Sequence, residues 1–223
     1  MKNDSLIWQI NKKIQEKSIL KHPFYADWKS GKLTNAMLRE YAKQYYKHVA
    51  AFPRYLSAVH SKIEDFDDRR LVLQNLMDEE NGDKNHIDLW INFGKALGLT
   101  KEEIRNASAV DETNSFVNHF LKTTKEKSVA EGIAALYAYE SQIPNVSHEK
   151  INGLVNFYGV GTQEGLEYFE VHKLADVEHS EAEKELIEKY SAGHEEKVLQ
   201  TVDETLDAYW SMLTGVQKLC NCT

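Results

Sequence analysis

The amino-acid sequence predicts an all-α protein, and three observations carry that reading. Apolar residues recur at three- and four-residue steps nearly throughout the 223 residues, the spacing that lays one stripe along a helix face. Sustained alternations rich in Val, Ile and Thr and closed by Asn-Gly or Pro-Gly turns are missing, so strands are not expected. Only three prolines interrupt the chain, and no Gly/Ser/Pro-rich linker or fixed-period repeat divides it.

Helices are expected over about 3–18, 34–62, 66–80, 83–98, 101–107, 111–124, 127–143, 146–158, 163–190 and 194–218. Thr34 can cap the second, and Pro53 inside it removes a backbone donor and clashes with the preceding turn, which predicts a kink near Ala50-Pro53. Thr100 with Glu103 three residues on reads as a capping box. Pro144 should stop or bend the helix that carries Glu140, and Thr162 with Glu164 opens the longest one. The last helix carries Leu199, Val202, Leu206, Tyr209, Leu213 and Val216 on one face, a bundle seam.

These elements form one domain over 1–223, with the tail from about Gln217 expected to fray. There are 27 Lys+Arg against 35 Asp+Glu, a net charge of −8. No basic stripe exists to neutralise a phosphate backbone, so nucleic acid is not an expected partner. No apolar run approaches the roughly 18 residues of a membrane span, and the start has no apolar core behind a basic cluster, which predicts a cytoplasmic protein. Cys220 and Cys222, the only two cysteines, sit one residue apart near the end. They cannot staple the fold, and a reducing compartment is expected.

Following each apolar seam to the residues that do not belong on it exposes the chemistry, because buried charge is costly unless paired or metal-bound. One seam runs Val72, Leu76, Glu79, Asp83, His86, Trp90, Phe93, with Asn81-Gly82 loosening the helix between Glu79 and His86. A second leads from Val129, Ile133 and Leu136 to Glu140, on a helix kept slim by Gly132, Ala134, Ala135 and Ala138. A third carries His172, Asp176 and His179 at i, i+4 and i+7 after Tyr168 and Phe169. Three carboxylates and three imidazoles suit two first-row metal ions, iron or manganese; without thiolates, Fe–S chemistry and structural zinc are disfavoured. In so charged a segment, a solvated helix face is the competing reading of the third set. A further seam holds Leu38, Tyr41, Tyr45, His48, Phe52 and Tyr55, with Tyr25 just before it. Phenols near an O2-activating centre serve as substrates, relays or proton donors, whereas aromatic stripes are commonly packing.

The stretches His22-Pro23-Phe24-Tyr25, Ala51-Phe52-Pro53-Arg54-Tyr55-Leu56, Asn75-Leu76-Met77-Asp78-Glu79-Glu80-Asn81-Gly82, Asn85-His86-Ile87-Asp88-Leu89-Trp90 and Tyr139-Glu140-Ser141-Gln142-Ile143-Pro144 strongly resemble the chlamydial proteins associating with death domains. The likeness covers nearly the whole chain, including the C-terminal cysteines. That group is similar to pyrroloquinoline-quinone synthase and the TenA/THI-4 proteins, which implies a haem-oxygenase-like helical bundle. The resemblance further implies a dinuclear site, Fe/Fe or Mn/Fe, with Glu79, Glu140 and His172 on one metal and His86, Asp176 and His179 on the other. It implies synthesis of p-aminobenzoate for folate from the protein itself, using O2 and an external reductant. Tyr25 would supply the ring, Lys150 the amino group, and Tyr41 a radical relay or alternative substrate, in a single turnover. It also implies a homodimer.

Two other readings stand beside this one. The same six ligands would serve an oxygenase acting on an external small molecule. An interaction protein binding host death domains is the other, its −8 charge suited to a basic surface. A metal-free oxidase or thiamin-degrading enzyme on the same fold is disfavoured, since the TenA-type nucleophile needs a cysteine in the core.

Overall fold

The computed structural model describes residues 5–82 and 85–219. Ser5 accepts a hydrogen bond from the Trp8 amide and opens α1 (Leu6–Glu16), which buries Ile7, Ile10 and Ile14. A 3-10 turn, Ile19–Lys21, leads to α2 (Pro23–Lys29). There the His22 ring accepts from the Phe24 amide and Pro23 occupies the first turn, where its missing donor is harmless. No helix was expected over these seven residues, which are too few to show a helical period.

The expected helix over 34–62 is two, α3 (Asn35–Val49) and α4 (Phe52–His60). Pro53 sits in the first turn of α4, so the chain breaks there instead of kinking. Asp65 caps α5 (Phe66–Glu80), and Asn85 caps α6 (His86–Ala96), which starts at His86 and not at 83. Then come α7 (Lys101–Asn106), opened by the expected Thr100–Glu103 capping box, and α8 (Asp111–Glu126). α9 (Val129–Glu140) ends just short of α10 (Ile143–Asn156), whose first turn takes Pro144. α11 (Gln163–Tyr190) and α12 (Glu195–Leu219) complete the chain. Gln217, Lys218 and Leu219 are still helical, while Cys220 and Cys222 lie outside the described residues. Among the described residues there is no strand, and no helix is long and apolar enough to cross a membrane.

α9 is the axis of the bundle. Eleven of its residues, Ala130 to Glu140, are buried, and it packs against α8, α11 and α12. Small residues permit this closeness: a Cβ on Gly132 would stand 2.9 Å from Val59 Cγ2. α11 lies against α6, α9 and α10, and α5 against α4 and α6, so α5, α6, α9 and α11 converge on one region. On the other side of α10, a Cβ on Gly153 would come within 2.3 Å of Trp28 Nε1. That glycine lets α2 seat Tyr25 and Trp28 in the core, both fully buried.

Gly153→Ala should therefore force the Trp28 indole aside and destabilise the protein by about 1–3 kcal/mol, read as a lower urea midpoint with an unchanged slope.

Candidate metal centre

The six candidate ligands that interrupted the seams in the sequence are buried, while Asp83 of the first seam lies outside the described residues. Glu79, His86, Glu140, His172, Asp176 and His179 are all at most 6% exposed, which removes the solvated-face reading of α11. The local folding that gathers them is simple. Glu79 lies in the last turn of α5 and His86 is the first residue of α6, and just past the end of α5 Gly82 takes φ +75°. Both side chains then meet His172 on the same stretch of α11.

The six donors form two triads, Glu79–His86–His172 and Glu140–Asp176–His179, each with one ligand atom per residue within 4.8 Å of the others. This division exchanges His86 and Glu140 relative to the one the resemblance implies. The reason is positional: Glu79 and His86 flank one turn, and Glu140 arrives on a different helix, nearer the later turn of α11 that carries Asp176 and His179.

The imidazoles are oriented for coordination. His172 Nδ1 donates to the Tyr168 carbonyl at 2.6 Å, which leaves Nε2 for a ligand. His179 Nε2 donates to Asp78 Oδ2 at 3.0 Å, while its Nδ1 stands 3.5 Å from Glu140 Oε1 and 3.6 Å from Asp176 Oδ1. His86 Nδ1 approaches Glu79 Oε1 to 2.9 Å without hydrogen-bond geometry. Asn75 Nδ2 donates to Glu140 Oε1 at 2.9 Å. With these bonds made, His86 Nδ1, His179 Nδ1, Glu140 Oε2 and Asp176 Oδ2 remain buried without partners. Nitrogen and carboxylate oxygen atoms left bare in this way and facing one another are a donor set for a pair of divalent ions, so the residues fit two metals.

The electrostatics agree. Burial would lower the His86 pKa, but the Glu79 carboxylate outweighs it and holds the imidazole above its ordinary range. Burial likewise opposes charge on His179, yet Asp176 and Glu140 lift it to about 11. Burial raises Asp176 to about 7 against the pull of His179. The charge that stabilises the carboxylates here is a proton on histidine, which a metal ion would replace.

Between the triads lies a small cavity of about 10 Å³, bounded by residues of both clusters and by His48, Val49, Phe52, Tyr139 and Tyr168. Tyr139 leads away from it: its hydroxyl bonds that of Tyr45 at 2.5 Å, and Tyr45 meets Tyr209 at 3.4 Å. The Tyr25 hydroxyl lies within the influence of Tyr41 and Tyr209, although none of these approaches satisfies hydrogen-bond geometry. Lys150 is buried against the same group, its Nζ 4.7 Å from the Tyr45 ring, 5.0 Å from Tyr41, 5.3 Å from Phe169 and 5.7 Å from Trp90. No carboxylate pairs with it among the described residues, and burial lowers its pKa to about 7.

The TENA/THI-4/PQQC family model matches residues 9–215 of this architecture. The chain belongs to the TENA/THI-4/PQQC family. It is 44% identical over 214 residues to a 4-aminobenzoate synthase of Chlamydia muridarum (strain MoPn / Nigg), an alignment covering 96% of this chain and 91% of the relative. Among solved structures it is similar to a TenA homologue of Pseudomonas syringae pv. tomato, with a TM-score of 0.84 at 20% identity over 96% of this chain and 93% of that one. A Shewanella denitrificans domain with a heme oxygenase-like fold gives 0.77 at 13% identity, covering 96% and 89%. The haem-oxygenase-like helical fold expected from the sequence is the fold observed.

Sequence reasoning passed over several residues that this family member places at its site. Asn75 and Asp78 support ligands from the face of α5 next to Glu79, and a lone polar residue on an amphipathic helix carries no signal of that duty. His48, 1% exposed with neither ring nitrogen bonded, is held neutral by burial, down to about 3. Glu183 had a usable signal, since it continues the series of His172, Asp176 and His179 by one more turn.

Asp78→Asn should leave the fold intact and weaken divalent-metal binding at the triad containing His179 by about 10- to 100-fold, seen in a Mn(II) titration followed by electron paramagnetic resonance.

Proposed function

We propose that this protein is a 4-aminobenzoate synthase that consumes itself, with Tyr25 as source of the ring and Lys150 as donor of the amino group. The observation that carries the reading is Lys150, a fully buried lysine with no counter-ion, set against Tyr41 and Tyr45 in a shell of aromatic rings. Lysine enters an apolar core only at a penalty, and a lowered pKa is what an amine nucleophile requires at neutral pH. The 44% identity to a protein named 4-aminobenzoate synthase supports the same reading.

Two redox-active ions, Fe/Fe or Mn/Fe, held by the two triads would supply the oxidising equivalents by reducing O2 with electrons from an external reductant. The chain's own residues do the rest. Tyr139 borders the cavity and shares a hydrogen bond with Tyr45, and the contact continues to Tyr209, next to Tyr25. A phenol chain of this kind can move an electron and a proton together between neighbours, because the hydroxyls from Tyr139 through Tyr45 to Tyr209 are bonded in series. Burial holds Tyr25, Tyr41 and Tyr45 well above the usual phenol pKa, so each keeps its proton until it is oxidised. Tyr41 touches both the Lys150 ammonium and the surroundings of Tyr25, which suits a relay or positioning role. The rings around Lys150 exclude the water that would compete with its amine. A tethered ring and a tethered amine meet without the entropy loss of assembling free reactants.

Product per chain tests the reading: apoprotein loaded anaerobically with Fe(II), with and without Mn(II), is given reductant and O2 but no organic substrate. At most one 4-aminobenzoate per chain is expected by mass spectrometry, and none from Tyr25→Phe or Lys150→Arg, both still metal-loaded. Repeated turnover with an added compound would instead indicate a diffusible substrate.

The pH dependence follows from Lys150. Its amine is protonated below its lowered pKa and free above it, so the single-turnover rate should rise about tenfold from pH 6 to pH 8 and then level off. Rapid-quench measurement at constant metal occupancy checks this.

A further inference from the structure

Glu183 is a buried charged residue for which the six-ligand site has no use. It lies on α11 four residues beyond His179 and is 6% exposed. Neither of its carboxylate oxygens has a hydrogen-bond partner. Its carboxyl adjoins that of Glu140, whose Oε2 is also buried and bare, because Asn75 and His179 approach only Oε1. Two adjoining carboxyl groups in a protein interior, with no Lys or Arg between them, can share a proton, and a metal ion can take the place of that proton.

A groove of about 210 Å³ leads to that place from outside. Glu178 is exposed and Asp78 half-buried at its edge, Asn75, His179 and Glu183 are buried within it, and no Lys or Arg lines it among the described residues. Its intervening walls are apolar, with Leu71 and Leu186 among them. A groove that is acidic at the mouth, largely apolar in its walls and ended by the bare Glu183 carboxyl and by His179, itself bonded to Asp78, attracts a divalent cation and leads it to the triad.

We propose that Glu183 is a fourth protein ligand of the metal held by Glu140, Asp176 and His179, and that this metal enters through the groove between α5, α9 and α11. The inference rests on the reading of that triad as a metal site. The two centres are therefore unequal. The Glu140 centre has three carboxylates and one imidazole, and the Glu79 centre has one carboxylate and two imidazoles. An oxygen-rich set favours the harder ion of a mixed pair, which assigns Mn(II) to the Glu140 centre when both metals are offered.

The test is Mn(II) binding to full-length apoprotein, comparing wild type with Glu183→Gln, by equilibrium dialysis with metal analysis and by thermal unfolding. Wild type should bind two ions per chain. Glu183→Gln should bind one with unchanged affinity and the other at least about tenfold more weakly. Its metal-free form should melt at least as high as wild-type apoprotein, since the amide can donate to the bare Glu140 Oε2. Two equal, unaltered sites in the variant would overturn the proposal and leave the triads standing, whereas failure of wild type to bind would overturn the triads themselves. A crystal structure of Mn(II)-loaded wild type decides independently of any variant's folding: a Glu183 oxygen about 2.2 Å from the metal supports the assignment, and one beyond about 3 Å refutes it.

Discussion

Burial of like charge at the junction of α5, α6, α9 and α11 is the constraint to which the rest of the structure answers. Glu79, Glu140 and Asp176 are carboxyl groups withdrawn from water with few donors to meet them, and an uncompensated interior carboxylate is penalised by several kcal/mol. Helices that carried only these residues would drift apart. α9 stays because its alanines and Gly132 give it a large apolar contact all round, and α11 because Tyr168, Phe169, Leu186 and Ile187 anchor it above and below its polar turns. Packing at both ends holds the middle in a state it would not choose alone, which is how a binding site is kept ready before its ligand arrives.

Two environments of opposite character meet at α9. Glu140 belongs to a polar centre of carboxylates and imidazoles. Its neighbour Tyr139 bonds into a dry aromatic cluster of Tyr45, Tyr209, Trp90 and Lys150. Consecutive residues on a helix point about 100° apart, so one peptide unit joins the place where charge is held to the place where water is excluded. Rigidity matters on both sides. The Trp90 indole donates to the Ala42 carbonyl at 2.8 Å, fixing the wall of the aromatic cluster, while Asp78 and Tyr168 fix the histidines.

Much of this was legible in the sequence because misplaced polarity on an apolar seam is a strong signal. His172, Asp176 and His179 stand where leucines would otherwise be, and their spacing alone put them on one face. The division of the ligands was not legible, since whether His86 pairs with Glu79 or with Asp176 depends on where one helix crosses another. α2 escaped notice because a seven-residue helix held by a histidine cap and by Gly153 behind it has no period of its own. Lys150 was equally opaque: on pattern it is one lysine on an amphipathic helix, and only the surrounding rings, contributed by α3, α6 and α11, make it unusual.

Tyr25 is entirely enclosed, its ring 5.6 Å from that of Phe24, with Trp28 on the next turn of the same short helix. On the proposed chemistry, the reaction removes a phenol from the centre of the structure that carried it out. The void would open where α2 is clamped to α10, and losing an interior aromatic side chain weakens a domain by about 3–5 kcal/mol. Spent and unspent molecules would then differ in durability as well as in mass. A chain that has given up its ring would loosen, expose its backbone and become the preferred prey of cellular proteases. The fold would thus carry its own expiry mark, and the supply of product would be set by how fast new chains are made.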